Sequence, residues 1–276
     1  MTRRLVTAVA ALALTVPLAA LPAGAAPPDG KGPGDRPDTS SRGVEWYLAL
    51  GDSLAAGYQP TTGDDLDGGY AGVVLDGLQE DYARTKLVNL ACSGETSATM
   101  VDGGRCSYGQ GSQLDAAEQF LRAHKDKVST VTITIGANDV AGCVSEYLVD
   151  PSLDLRACIS AGLLDVQTNL PEILERLRAA SPESDIVISS YYNPFVVIDG
   201  LAGLTTGPAA VLNQTITFAA AAGDAAVADV ATAFGPDPLL ICALTWMCSS
   251  NPPDFHANDA GYAAMGTAFL VALAAE

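Results

Sequence analysis

Histidine is scarce in this chain of 276 residues: only His124 and His256 occur. No CxxC pair is present among the six cysteines, and both histidines stand away from any cysteine pair. A zinc site draws its ligands from clustered cysteine and histidine, so neither a metal nor any other cofactor is expected. Basic residues are also few, 14 against 32 acidic ones, for a formal charge of −18. Such a surface repels nucleic-acid phosphates and anionic lipid head groups, so nucleic acid is not an expected partner. Beyond the N-terminal segment no apolar run approaches the roughly 20 residues that span a bilayer, which argues against stable membrane insertion. An internal repeat is likewise missing.

The N-terminus reads as an address. Arg3 and Arg4 precede an apolar stretch over 5–21, and Ala23-Gly24-Ala25 supplies a small-x-small cleavage pattern. Residues 1–25 are therefore expected to be a signal peptide, and the protein to be secreted. The Arg pair leaves the export route open. Residues 26–42 (APPDGKGPGDRPDTSSR) have almost nothing apolar to bury and read as a flexible leader. Residues 43–276 suffice for one well-buried domain. Six cysteines in an exported chain suggest a disulfide framework, for which 15 pairings exist. The simplest is sequential: Cys92–Cys106, Cys143–Cys158 and Cys242–Cys248.

Five segments read as strands: 44–50 (VEWYLAL), 86–91 (KLVNLA), 128–135 (VSTVTITI), 185–190 (DIVISS) and 226–230 (AVADV). Helical patterns fall at 113–124, 161–180, 208–222 and 261–275, with Pro171 expected to kink or restart the second. Strands alternating with helices imply a parallel sheet covered on both faces, and ligands bind beyond the carboxyl ends of such strands. Gly51-Asp52-Ser53-Leu54 leaves the first strand. Gly94 follows the second, within NLACSGET, and Gly136-Ala137-Asn138-Asp139 leaves the third. His256 lies in PPDFHANDAGY, directly before the last helix. Each motif alone is weak, since such tetrapeptides commonly serve as turns or helix caps. Together they supply a hydroxyl, a backbone N–H, a side-chain amide and an imidazole.

This ordered set resembles the SGNH hydrolase superfamily, the GDSL-type lipases and esterases, and most of all their exported, disulfide-bonded actinobacterial members. The resemblance extends from Val44 to Ala275. It implies an α/β fold, a three-layer α/β/α sandwich around a parallel sheet of about five strands of flavodoxin-like type. It further implies cleavage of a small-molecule or lipid carboxylic ester, with Ser53 as nucleophile and His256 as general base. The Ser53 N–H, the Gly94 N–H and the Asn138 amide would form the oxyanion hole. The chemistry fits these residue types: a serine hydroxyl needs a base to take its proton, and asparagine donates where aspartate only accepts.

One position departs from the family pattern. The aspartate that usually orients the histidine lies three residues before it, where this chain has Pro253. Asp254 is two residues before. Either its carboxylate or a main-chain carbonyl such as that of Pro253 orients the ring. His124 ends a helix beside Lys125 and Lys127 and reads as structural. Asp52 and Asp139 read as turn or cap groups. Tyr191 to Phe195 could line a pocket or merely pack beneath a loop, and Trp246 and Met247 could join an apolar rim. Two other readings stay open: an exported binding protein on the same scaffold without catalysis, and an esterase of acetylated carbohydrate. A phosphate- or flavin-binding domain would instead want a donor-rich loop after the first strand, where Asp52 stands. Oligomeric state is not legible.

Overall fold

The computed structural model describes residues 45–275. The expected signal peptide and leader lie outside the described residues. Five parallel strands form one sheet in the order β2-β1-β3-β4-β5: β1 Trp46–Gly51, β2 Lys86–Asn89, β3 Val128–Thr134, β4 Asp185–Ser189 and β5 Ala226–Ala228. Nine α-helices accompany them among the described residues. These are α1 Gly69–Asp81, α2 Ser97–Asp102, α3 Gln113–Ala123, α4 Ala137–Val149, α5 Leu155–Ala180, α6 Ala202–Ala222, α7 Val230–Phe234, α8 Pro238–Leu244 and α9 Asp259–Leu273. Helices α1 and α9 pack together as one outer layer, and α3, α5 and α6 lie side by side as the other. The result is a three-layer α/β/α sandwich.

Burial explains why these segments become strands. Tyr47, Leu48, Ala49 and Leu50 are completely buried, so β1 is covered on both faces and its sequence shows no polar alternation. The strand ends at Gly51, whose φ of +124° is hostile to side chains, and a Cβ there would stand 1.9 Å from the Thr134 carbonyl oxygen. Glycine thus lets β1 and β3 run side by side up to the point where both release their loops. After β1 the chain moves to one side, to β2, and then returns to the other side, to β3. The crevice between β1 and β3 is therefore the topological switch point of the sheet.

The helices depart further from the sequence expectations. Pro171 does not restart the helix: α5 runs through it for 26 residues. A mid-helix proline costs about 3 kcal/mol, and the packing of Val166, Leu170, Ile173, Leu174 and Leu177, all fully buried, offsets it. Pro208 likewise lies inside α6, which begins six residues earlier than expected. β2 and β5 are shorter than their apolar runs, and Val230 opens α7. Helices α1 and α4 lie in stretches where glycine dilutes the apolar period, yet Tyr70 of α1 stacks on Phe269 of α9 at 4.4 Å between ring centroids.

Candidate active site

The loop after β1 carries Ser53 into the crevice. Asp52 sits beneath it, 1% exposed. Its Oδ1 accepts the Leu54 N–H at 2.9 Å and the Thr134 hydroxyl at 2.9 Å, and its Oδ2 accepts the Tyr191 hydroxyl at 2.5 Å. Burial pushes the Asp52 carboxyl up to about 6, although these hydrogen bonds and nearby His256 favour its charged form. Asp52 is thus a buried anchor that ties the Ser53 turn to β3 and to the segment after β4.

His256 comes from the loop before α9. Its Nε2 lies 2.8 Å from Ser53 Oγ and its Nδ1 lies 2.7 Å from Asp254 Oδ1. The same carboxylate oxygen accepts the His256 backbone N–H at 2.8 Å. An aspartate that bonds the N–H two residues on makes an Asx turn. This turn brings a carboxylate displaced by one position from the family pattern against the ring. Burial acts to raise the Asp254 carboxyl, but the His256 ring, its N–H and its charge outweigh that and hold it below its ordinary value. Tyr58 and Phe255 flank the imidazole at 4.4 and 4.5 Å between centroids. The His256 carbonyl accepts the Trp246 N–H at 3.0 Å.

Asn138 opens α4 at the end of β3. One hydrogen of its Nδ2 goes to the Glu95 carbonyl at 2.9 Å, leaving the second for a ligand. Gly94 has φ +82°. Among the described residues, neither the Gly94 N–H nor the Ser53 N–H has an intramolecular acceptor. Asp139 turns the other way, accepting the Ser97 N–H at 2.9 Å and its hydroxyl at 2.6 Å, and so binds α4 to the start of α2.

An apolar pocket opens beside Ser53, Asn138 and His256, with an empty volume of about 750 Å³ that includes its open mouth. Its walls include Val140 and Val144 of α4, Ile159 of α5, Leu212 of α6, Phe195 and Phe255. Tyr191, Tyr192 and Pro194 also line it, so the aromatic stretch after β4 does face the cavity. Gly94 is not on its wall. Trp246 and Met247 are not there either: Trp246 Nε1 donates to Gln59 Oε1 at 2.6 Å and Met247 is buried in the core. Among the described residues no grouping of histidine, cysteine and acidic side chains suits a metal ion.

The cysteines pair sequentially, as Cys92–Cys106, Cys143–Cys158 and Cys242–Cys248. Cys143 lies well inside α4, so its bridge clamps α4 to α5 behind the pocket wall and not the Asn138 turn itself. His124 caps α3, with Nδ1 2.9 Å from the Phe120 carbonyl and its ring against Trp46 and Phe120.

The profile of the GDSL-like Lipase/Acylhydrolase family matches residues 49–264, which spans Ser53, Gly94, Asn138 and His256. The chain belongs to this GDSL-like lipase/acylhydrolase family. It is therefore a carboxylic ester hydrolase. No curated protein matches it in sequence. Solved structures share the fold at low identity. A lipase from a goat rumen metagenome aligns at 20% identity with a TM-score of 0.62, over 83% of this chain and 97% of its own. Phospholipase A1 from Streptomyces albidoflavus aligns at 20% identity and TM-score 0.56, over 84% and 99%. An acetyl xylan esterase from Geobacillus stearothermophilus aligns at 18% and 0.56, over 83% and 94%. These likenesses are of fold.

Within this GDSL-like site, sequence reasoning missed Tyr191 as a partner of Asp52, the two rings flanking His256, and Gln113. Tyr191 was findable from its place just past β4. Gln113, the first residue of α3, looks in sequence like any exposed helix start.

Proposed function

We propose that this protein hydrolyses esters of medium-length acyl chains through an acyl-enzyme on Ser53. The carrying observation is the hydrogen-bonded chain from Ser53 Oγ through His256 to Asp254 at the mouth of an apolar pocket. His256 Nε2 takes the hydroxyl proton as Oγ attacks the ester carbonyl. The carbonyl oxygen becomes an oxyanion, held by the Ser53 and Gly94 N–H groups and Asn138 Nδ2. Such donors contribute roughly 3–4 kcal/mol each to catalysis. Asp254, ionised because its partner is the imidazole, balances the imidazolium. The alcohol then leaves with the proton from His256. Water, deprotonated by the same nitrogen, releases the acid and restores Ser53.

Pocket shape supports the acyl-chain reading over an acetyl group. Ala137, Ala141 and Val144 line it along one face of α4, beginning beside Asn138. Seven helical residues rise roughly 10 Å. An extended chain advances ~1.2 Å per bond, judged from the reach of extended backbone, so about eight carbons fit. The Arg3-Arg4 pair, the apolar stretch over 5–21 and the Ala23-Gly24-Ala25 pattern, together with three disulfides, support a secreted enzyme with residues 1–25 removed and 26–42 as leader. The test is turnover of p-nitrophenyl esters from acetate to palmitate by the mature chain and by Ser53→Ala. A maximum near octanoate and loss of several orders of magnitude in Ser53→Ala are expected. A maximum at acetate would overturn the substrate reading, and an active Ser53→Ala variant the mechanism.

A further inference from the structure

Gln113 is completely buried, and its amide has four hydrogen-bond partners within reach, two N–H groups being shared among three acceptors, none of which the mechanism above uses. Its Oε1 accepts the Gly51 N–H at 2.6 Å, and its Nε2 points to the Gly51 carbonyl at 3.0 Å. The same nitrogen reaches Glu95 Oε2 and the Tyr108 hydroxyl, each at 3.1 Å. The amide orientation is unambiguous, because a backbone N–H must face the oxygen and a backbone carbonyl must face the nitrogen. Pairing with both polar groups of one residue is what a neighbouring strand does. Strand β2 stops at Asn89 while β1 continues to Gly51. The Cys92 N–H still reaches the Gly51 carbonyl at 2.9 Å, but the Gly51 N–H has no backbone acceptor there, and Gln113 Oε1 takes that place.

The two ends of this bridge matter. Gly51 is two residues before Ser53. Glu95 directly follows Gly94, and its carbonyl holds Asn138 Nδ2. Tyr108 donates its own proton to the Leu90 carbonyl at 2.7 Å, at the root of the Gly94 loop. Glu95 itself is buried, and its Oε1 has no partner among the described residues. One amide therefore touches the strand that delivers the nucleophile and the loop that carries Gly94 and holds Asn138 Nδ2 through the Glu95 carbonyl.

We propose that Gln113 is a positioning residue of the oxyanion hole, setting the spacing of the Ser53 N–H, the Gly94 N–H and the Asn138 amide. This rests on the Ser53 mechanism proposed above, which Ser53→Ala tests separately. Misplaced oxyanion donors weaken transition-state binding while leaving the acyl pocket untouched, so kcat falls and KM does not. Two variants decide it, each checked for a cooperative melt. Gln113→Leu is expected to lower kcat on p-nitrophenyl octanoate by about 10–100-fold with KM within about twofold of wild type. Gln113→Glu replaces the donor with a second carboxylate beside Glu95 and Tyr108, with the Arg105 charge acting on Glu95. When protonated, a glutamic acid regains one O–H donor beside its acceptor oxygen, restoring part of the amide's two-donor pattern that the carboxylate lacks entirely. The ratio of Gln113→Glu activity to wild-type activity is therefore expected to rise as pH falls from 8 to 6. A folded Gln113→Leu variant with kcat within twofold of wild type would overturn the proposal, as would a flat pH ratio. Failure of both variants to fold would assign Gln113 to stability alone and overturn it too.

Discussion

At Asp254 the geometry bears on a choice that the sequence leaves open. Its carboxylate lies on His256 Nδ1 at 2.7 Å and supplies a full charge to the imidazolium, where the carbonyl of Pro253 would supply only a dipole. Asp254→Ala and Asp254→Asn are expected to lower kcat by about ten-thousandfold, as loss of the triad carboxylate does elsewhere. A folded Asp254→Ala variant within tenfold of wild type would leave a Ser–His dyad steadied by backbone. Asp52 gives a second residue-scale test, in stability. Burial raises its carboxyl from an ordinary 3.8 to about 6. Between those values the native state keeps a proton that the unfolded state has released, so stability falls as pH rises through that window and levels off above it. A rise of that size costs the ionised native state about 3 kcal/mol at most. Asp52→Asn keeps an acceptor for Leu54 and Thr134 without the charge. Its denaturation midpoint is expected to gain on wild type from pH 4 to pH 6 and hold that gain above. Parallel pH profiles for the two proteins would refute the account of Asp52.

At the scale of elements, α4 has two functions: its first residues bring Asn138 to Ser53, and its next two turns line the pocket. Its length sets the expected chain preference. Val144→Trp places a bulky ring on that face six residues beyond Asn138, more than one helical turn away from it. It is expected to reduce kcat/KM for octanoate esters by 100-fold or so, the scale at which a filled pocket rejects extra methylenes. Acetate esters should change little. Equal loss on both esters would show that the chain does not lie along α4. The sequence makes the strands easier to read than this helix. Buried parallel strands announce themselves as apolar runs, whereas α4 begins inside a motif and mixes glycine and β-branched residues. Their ends are misread where carboxyl-terminal residues such as Val230 leave the sheet for the next helix. Pro171 misleads for a related reason: local propensity allows a restart, and the burial that keeps the helix running through it is a property of the assembled layers.

For the molecule as a whole, the order of motifs made the site legible, since Ser53, Asn138 and His256 lie far apart in sequence and meet only at the switch point of the sheet. Asp254 was a candidate in the sequence, but how its carboxylate reaches the ring from a displaced position needed the Asx turn, and the Gln113 bridge needed the unequal lengths of β1 and β2. The charge of −18 says little about the proposed reaction, since the walls of the pocket beside Ser53 and His256 are apolar. The central claim is that Ser53 is the nucleophile, activated by His256. It is tested most directly by treating the mature protein with a fluorophosphonate and mapping the adduct by peptide mass spectrometry. The account predicts one phosphonyl group per chain, on Ser53, with labelling strongly slowed in His256→Ala and unaffected in His124→Ala. An adduct on another serine, or undiminished labelling of Ser53 without His256, would contradict it.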